Sequence, residues 1–353
     1  MVQNPRHDRY IVFGIGARTS TGLHADSSAI AVYAGVSGVA EHPYMVDKAG
    51  DPFMVGIDPT LMEHNRIERM FILAASALTE VVDQIPLTPE TGLMIYLGLP
   101  ELGMYFDRLQ AESLCQRLET YLSAICRPTL VPVLEGNTAA IVAMQQALHE
   151  MQKGSLNYCV IGGVDSFLDP DILESMDDAG NVASTSNRWG FPPGEGAAML
   201  AICNSKFAQQ KNFLPLAYIV SIGMSYEQNR MGTDTICTGE GLAKAMQEAS
   251  SAAGGQITKQ YCDINGERYR EDEFSYAILR VPSFIFVNAV DYVAPADCWG
   301  HTGAATGALL ALLAIVCCRR GFSVGEWPMI WCGSNNGRRA AMVLHLLEGE
   351  IKC

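Results

Sequence analysis

Three polar residues stand where a catalytic group could act. Asn137 opens a run of small and apolar residues at helical spacing, Asn265 precedes Gly266, and His301 lies in a Gly-His-Thr turn. A carboxamide is not a nucleophile as a thiolate is, so Asn137 cannot serve as one. Asn265 and His301 could form a pair of hydrogen-bond donors.

Each of these residues also has a structural interpretation. Asparagine is among the best helix N-caps, so we favour a capping role for Asn137. Asn265-Gly266 is a common turn pair, and we expect His301 to be hydrogen-bonded rather than a working base. Cys237, in the polar segment GTDTICTGEG, is the best remaining thiol, but no base lies near it in the sequence.

The elements that would position these residues alternate along the chain, which predicts a layered α/β fold with buried sheets. A helix is predicted over residues 137–153 and ends at Gly154; the apolar run Gly307–Cys318 predicts a buried helix too short to cross a membrane. Surface loops are predicted near Pro43–Asp58 and Asn181–Asn187. Further strands are predicted at Tyr10–Gly14, Leu93–Leu97, Leu130–Leu134, Tyr158–Ile161, Ala198–Cys203, Leu216–Gly223, Tyr261–Asn265, Ser283–Asn288, Met329–Cys332 and Ala340–Leu346, with helices at Ser27–Gly35, Ile67–Gln84, Ala111–Cys126, Glu240–Ala252, Glu271–Leu279 and His301–Arg320.

Several motifs in order resemble the β-ketoacyl synthase branch of the thiolase superfamily. IVFGIGARTSTGL resembles the first strand and its turn, and IGGVDS resembles the strand end after the nucleophile helix. RWGFPPGEGAAML, which contains Glu195, resembles the Gly-Glu-Gly-Ala signature, and GHTGAATG resembles the segment with a catalytic histidine. The resemblance implies a thiolase-like fold of two pseudo-repeated halves, 1–212 and 213–353, in αβαβα layers. A weak echo of Tyr10-Ile11-Val12 in Tyr218-Ile219-Val220 agrees with two halves.

The same resemblance implies a degenerate active site. Asn137 stands at the position of the nucleophilic cysteine, and Asn265 stands at that of the first catalytic histidine. His301 retains the second histidine, whereas Ala296 aligns with the family's lysine. The C-terminal glycine-rich loop is replaced by CGSNNG, residues 332–337. We expect Glu195 to stabilise its loop, and no intact catalytic set remains.

Three hypotheses for function follow. The first is a ketosynthase-like pseudoenzyme that binds other proteins; its opening ARTSTGL…AGVSGVAEHP resembles proteins of type VI secretion loci and suggests a role in effector loading. The second is a subunit like a chain-length factor, which pairs with an active ketosynthase and commonly carries glutamine at the nucleophile position. The third is a residual acyltransferase or malonyl-thioester decarboxylase. The resemblance also implies a homodimer or heterodimer formed through the strand near Leu130–Leu134.

Composition limits the kinds of binding partner and the cellular compartment that we expect for this protein. The chain has 24 Lys+Arg against 38 Asp+Glu and a formal net charge of −14, which argues against nucleic acid or an anionic membrane. Arg319, Arg320, Arg338 and Arg339 could form a basic patch for an acyl carrier protein, although we favour scattered surface arginines. The eleven cysteines show no metal-ligand spacing, so neither a metal nor a cofactor is predicted. A polar opening without a signal-peptide pattern predicts a cytoplasmic protein without membrane spans.

Overall fold

The computed structural model describes residues 9–185, 187–230, 233–322 and 325–347. The opening octapeptide, on which the expectation of no signal peptide rests, lies outside these ranges. No helix within them is long and apolar enough to cross a membrane. The strands are β1 Tyr10–Thr19, β2 Val39–Val46, β3 Pro52–Gly56, β4 Gly92–Leu99, β5 Arg127–Leu134, β6 Tyr158–Ser166, β7 Glu195–Asn204, β8 Ala217–Tyr226, β9 Lys259–Cys262, β10 Tyr292–Val293, β11 Pro328–Gly333 and β12 Arg338–Leu346. The helices are α1 Ala25–Tyr33, α2 Arg66–Val82, α3 Arg108–Leu122, α4 Ala139–Lys153, α5 Pro170–Asp178, α6 Ser205–Lys211, α7 Glu240–Ser250, α8 Arg268–Arg280, α9 Ala296–Trp299 and α10 Thr306–Arg319.

Ten strands form one sheet in the order β10-β9-β11-β12-β8-β1-β7-β6-β4-β5. The five strands from β8 outward to β10 all follow residue 212, and the five from β1 to β5 all precede it. Between these groups, β1 and β8 share only the pairs Ile11↔Tyr218 and Val12↔Ala217. This order is compatible with a division at 212/213, which stays a prediction.

Helices α4 and α10 lie between the two five-stranded groups. α4 packs on β4 and β6, whereas α10 packs on β7 on one side and on β9 and β11 on the other. α2 and α3 cover the outer face of the first group, and α7 and α8 cover that of the second. α10 is buried on every side from Thr306 to Cys318, as its unbroken apolar run predicts.

Two glycines explain how the first strand of each group meets its outer helix. A Cβ on Gly16 would collide with the carbonyl oxygen of Ala77 in α2, and one on Gly223 would collide with that of Ala245 in α7. The close approach of helix to strand therefore requires glycine at both positions. The glycine of β1 with this contact is Gly16 and not Gly14 of the sequence echo, and the repeat of two halves stays a prediction.

Some predicted elements are wrong. Ser283–Asn288 is not a strand: a 3-10 turn occupies Ser283–Ile285 after Pro282, and Phe284 and Val287 face outward. The predicted loop at Pro43–Asp58 contains most of the β2–β3 hairpin, whose first strand has no fully buried residue and hence no apolar alternation. The short helices α5 and α9 were not predicted, and the last long helix begins at Thr306 rather than at His301.

The outer edge of β5 offers few backbone donors. Arg127 donates its N–H to the carbonyl oxygen of Thr91, on the side of β4. Backbone groups alternate in direction along a strand, so those of Pro128, Leu130 and Pro132 point away from β4. The two prolines have no N–H, and Leu130 donates its N–H to Oε1 of Glu119 at 2.8 Å. Prolines and capped donors of this kind block the pairing of an edge strand with another strand.

Shortening Leu312 to alanine tests the central position of α10. Leu312 is completely buried between the two groups of strands, so Leu312→Ala should lower the free energy of unfolding by about 2–5 kcal/mol. Leu214→Ala is the control, because Leu214 is 80% exposed, and it should change stability by less than about 0.5 kcal/mol. Equal losses in urea denaturation would contradict the layered arrangement.

Candidate functional site at the head of helix α4

Asn137 does not cap α4. It lies in the 3-10 turn Gly136–Thr138, and its Nδ2 donates a hydrogen bond of 2.9 Å to Oδ2 of Asp263. The N–H of Thr138, the residue just before α4, donates to Oγ of Ser334 at 2.9 Å. The capping prediction is therefore wrong, because a buried carboxylate holds the amide group of Asn137 away from the helix.

Asp263 is the centre of a buried network. Besides Asn137, its Oδ2 accepts hydrogen bonds of 2.9 Å from Nη1 of Arg270 and from the backbone N–H of Gly333. Arg270 also donates from Nε to Oε2 of Glu267 at 2.9 Å. Burial acts to lower the pKa of Arg270, but Tyr269, Asp263 and Glu267 hold it well above its usual value. The guanidinium is therefore a permanent buried cation.

Asn265 forms the predicted turn and also contacts His301. Its Oδ1 accepts the N–H of Glu267 at 3.1 Å, and Gly266 has a φ of 106°, which together form the predicted turn. Its Nδ2 lies 3.0 Å from Oε2 of Glu267 and 3.3 Å from Nδ1 of His301. The turn and the contact with His301 are thus parts of one arrangement.

His301 is buried and neutral. Its ring lies 4.8 Å from that of Phe191 and 5.1 Å from that of Phe167, centroid to centroid. Burial, and then the charge of Arg270, lower the pKa of His301 to about 3. Since Asn265 donates to Nδ1, the ring proton resides on Nε2. His301 can therefore donate a hydrogen bond, but it is a poor base near neutral pH.

A second buried ion pair, Arg66 with Asp165, contacts the segment that follows His301. Arg66 donates to Oδ1 of Asp165 at 3.0 Å, and Oδ2 of Asp165 accepts the N–H of Ala304 at 3.1 Å. Burial raises the pKa of Asp165, and Arg66 opposes that effect. The pair fixes the turn that follows His301.

Glu195 holds its loop, as predicted. Both of its oxygens accept hydrogen bonds from Arg69, at 2.7 and 2.6 Å, and Ser166 donates to Oε2 at 2.9 Å. The N–H of Asp58 donates to Oε1 at 2.9 Å.

The motifs did not reveal the buried charged residues of this region, which are Arg66, Arg69, Asp165, Asp263 and Arg270. The spacing of Arg66 and Arg69 on the apolar side of a helix was the available signal.

Cys237 does not line the central cavity, and burial raises its pKa to about 11. Its sulfur and oxygens of Glu227 and Glu273 lie within 4.8 Å of one another, as metal ligands could. Both carboxylates already have partners, however: Arg339 donates to both oxygens of Glu273, at 2.5 and 2.9 Å, and Glu227 accepts the N–H of Gly241. These hydrogen bonds explain why the three side chains lie together without a metal ion.

Three of the four arginines considered as a carrier-protein patch are paired with carboxylates of this chain. Arg338 pairs with Glu135 at 2.8 Å, and Arg320 pairs with Asp26. Arg339 is buried against Glu273, so the expectation of a surface arginine is wrong there. Ala296, which the motif resemblance aligns with a lysine, begins α9.

A cavity of about 290 Å³ opens beside Asn137 and His301. Its wall includes the charged residues Arg66, Glu101, Asp165, Glu267 and Arg270. Burial raises the pKa of Glu101, which lies next to Gly136. A pocket for a long acyl chain would be lined mainly by apolar groups, whereas this one carries charges on several sides.

Comparison with known proteins places the fold. No family model and no curated protein matches the sequence. Among solved structures, a chain of the complex AntDE:AntF, a type II polyketide synthase acyl-carrier protein with its hexaketide-bound ketosynthase, matches with a TM-score of 0.79 at 14% identity, over 96% of this chain and 100% of that one. The ishigamide ketosynthase/chain length factor matches with a TM-score of 0.79 at 16% identity, over 97% and 100% of the two chains.

A third match is the ketosynthase ApeO in complex with its chain length factor ApeC from Xenorhabdus doucetiae. Its TM-score is 0.75 at 16% identity, over 98% of this chain and 100% of that one. The chain has the thiolase-like fold of ketosynthases. The fold class predicted from the motifs is thereby confirmed, and at these identities the likeness concerns the fold alone.

The state of His301 can be measured directly. Its folded pKa of about 3 lies below the ordinary value of 6.5, so His301 favours the folded state above pH 6.5, and this contribution is lost as the pH falls from 6.5 towards 3. Ring ¹⁵N spectra should show the neutral Nε2–H form throughout pH 5–8. Titration of this ring near pH 6.5 would contradict the buried arrangement, and His301→Gln should reduce the loss of stability below pH 6.5.

Removing the buried cation should be costly. Arg270→Leu leaves Asp263 and Glu267 buried without their guanidinium and should lower the free energy of unfolding by about 3–5 kcal/mol. Arg268→Leu is the matched control on the same helix, because its ion pair with Asp272 is exposed and worth about 0–1 kcal/mol. Similar effects of the two changes in denaturant unfolding would show that the network is dispensable.

Proposed function

We propose that this chain is a ketosynthase-fold protein that does not condense acyl groups and that acts by binding another protein. The observation that supports this most directly is the hydrogen bond from Asn137 to Asp263 within the Arg270 network. The position expected for a nucleophile thereby belongs to the protein's internal structure. Loss of the nucleophile of a covalent mechanism typically removes about 10³-fold or more in rate.

Two backbone donors near Asn137 are already used inside the protein. Backbone N–H groups must be free to bind the negative oxygen of a thioester intermediate. The N–H of Thr138 donates to Ser334, and that of Gly333 donates to Asp263. Occupation of these two amides supports a binding function over acyl transfer.

The partner suggested by the sequence is a secreted effector, because the opening segment resembles ketosynthase-like proteins of type VI secretion loci. In this role the protein is an adaptor of the cytoplasm that aids effector loading. Its acidic surface, with a formal charge of −14, favours a basic partner over an acyl carrier protein, since carrier proteins are themselves acidic.

A subunit like a chain-length factor is the second candidate. Two of the matched structures contain a ketosynthase with a chain length factor, which supports pairing with an active enzyme.

The outer edge of β5 bears on whether the partner is a second copy of this chain or a different protein. With Pro128, Pro132 and the capped Leu130, a second copy of the same edge would supply almost no donors, so a different chain is favoured over a homodimer through this strand.

Restoring the family's residues should not restore the family's reaction. The triple variant Asn137→Cys, Asn265→His, Ala296→Lys should fail to reach full condensing activity, because the amides beside the new thiol stay occupied and Asp263 would raise its pKa. The assay is carbon–carbon bond formation from acyl and malonyl thioesters. Full recovery would contradict the proposal, and wild-type turnover of malonyl-thioester that is lost in His301→Ala would instead support the residual-enzyme hypothesis.

The protein alone should be a monomer and should acquire a partner only in its host. Light scattering after gel filtration should give a mass near 38.3 kDa for the recombinant chain. Pull-down from the host followed by mass spectrometry should recover a different protein, with an effector supporting the adaptor and a ketosynthase supporting the second candidate.

The edge of β5 provides the control for this prediction. Glu119→Ala removes the acceptor of the Leu130 N–H, and Pro132→Thr adds an N–H at residue 132, so the double change should promote self-association. Glu112→Ala, on the exposed side of the same helix α3, should not. A wild-type dimer cross-linked through β5 would contradict the monomer.

A further inference from the structure

A groove outside the central cavity lies between helix α4 and strand β8. It has a volume of about 510 Å³, and apolar side chains of both elements form much of its wall. Among the described residues, no aspartate, glutamate, lysine or arginine lines it, although the whole chain has a formal charge of −14. An uncharged groove on an acidic protein favours an uncharged ligand over a charged one. The polar residues of the wall are Tyr10, Gln145, Gln146, His149, Gln152 and Ser221.

The hydroxyl of Tyr10 is an unsatisfied polar group in this wall. Tyr10 is only 6% exposed, and its Oη has no hydrogen-bond partner among the described residues. Burial raises the pKa of Tyr10, and Arg9 and the nearby Gln152 oppose that effect without a well-formed hydrogen bond to Oη. A buried hydroxyl without an acceptor is unfavourable. Gln152 is exposed and can turn aside, so a carbonyl oxygen that enters the groove would supply the acceptor.

One side of the groove is the edge of a strand. β8 pairs with β12 from Ala217 to Tyr226, whereas its pairing with β1 ends at Tyr218. The four residues from Ile219 to Ile222 line the groove and have no strand partner on the β1 side within the described part of the chain. An unpaired strand edge can bind an extended peptide through backbone hydrogen bonds.

We propose that this groove binds an extended, uncharged segment of a partner protein, with its backbone along β8 and one of its carbonyl groups on Tyr10. Gln145 and Gln146 are exposed on α4, and each amide group offers donors and an acceptor that match a peptide backbone. Four residues of strand span about 13 Å, so a pentapeptide is long enough to cover the edge.

This inference rests on the proposed function, because it identifies where a protein-binding adaptor contacts its partner. Its failure would leave the acyl-transfer and mass measurements unchanged. Its success would not alter them either, so the two proposals are tested separately.

Three peptides of one length test the preference for an uncharged segment. They are acetyl-Thr-Val-Ser-Val-Thr-amide and the two versions in which lysine or glutamate replaces both valines. Each is titrated into protein with labelled tyrosine rings, in about 0.3 M salt to screen the general attraction of an acidic protein for cations. The uncharged peptide should shift the Tyr10 ring signal saturably, and the charged ones should bind at least about fivefold more weakly. Equal binding of all three, or no shift with the first, would overturn the proposal.

Two tyrosine variants assign the effect to the unsatisfied hydroxyl. Tyr10→Phe should weaken binding of the uncharged peptide about fivefold, followed through the backbone N–H signals of residues 219–222, without lowering the Tm of the free protein. Tyr158→Phe is the matched control, because the hydroxyl of Tyr158 donates to the carbonyl oxygen of Gly92 at 3.0 Å, and it should leave peptide binding unchanged. A lower Tm with unchanged binding in Tyr10→Phe would show a purely structural hydroxyl and would contradict the site.

Two further measurements test the mode of binding and the occupant. The uncharged peptide with N-methylated valines should bind at least about fivefold more weakly, because it lacks two backbone donors. Equal binding of the methylated peptide would contradict an added strand. Deletion of residues 1–8 should leave the affinity for the peptide unchanged. Tighter binding after that deletion would assign the groove to the chain's own opening segment and overturn the proposal.

Discussion

The ion pair between Arg270 and Asp263 is the contact on which the head of α4 depends. A buried carboxylate must be paired and saturated with donors, and Asp263 achieves this with Arg270, Asn137 and the N–H of Gly333. Removing any one partner would leave a charge or an amide unsatisfied in a dry environment. The identity of residue 137 is therefore coupled to residues more than one hundred positions away, and its carboxamide supplies one of the three hydrogen bonds to this acid.

The same contacts join the two five-stranded groups. Asn137 precedes a helix that packs on β4 and β6, whereas Asp263 follows β9 and Gly333 ends β11. Ser334 adds a second link, since its Oγ contacts both the N–H and the Oγ1 of Thr138. The polar groups of this junction thus hold the start of α4 against the ends of β9 and β11.

Much of the fold follows from sequence, and much of the site does not. Unbroken apolar runs such as that of α10 and strand ends marked by glycine predict buried elements correctly, because burial is a local requirement. The β2–β3 hairpin was missed since its exposed residues lack alternation, and α5 was missed because it buries little. At the site, the motifs located Asn137, Asn265 and His301, but not the direction of their side chains. Local propensity favours capping by Asn137, and only a long-range acid, Asp263, overrides it.

His301 shows how its surroundings set the chemistry of a side chain. Burial and the charge of Arg270 keep the ring neutral, and Asn265 directs its proton to Nε2. A general base needs a pKa near the working pH, and this ring is far below it. With its proton on Nε2, the neutral ring can donate a hydrogen bond to a polar group in the adjoining cavity, which His301 lines.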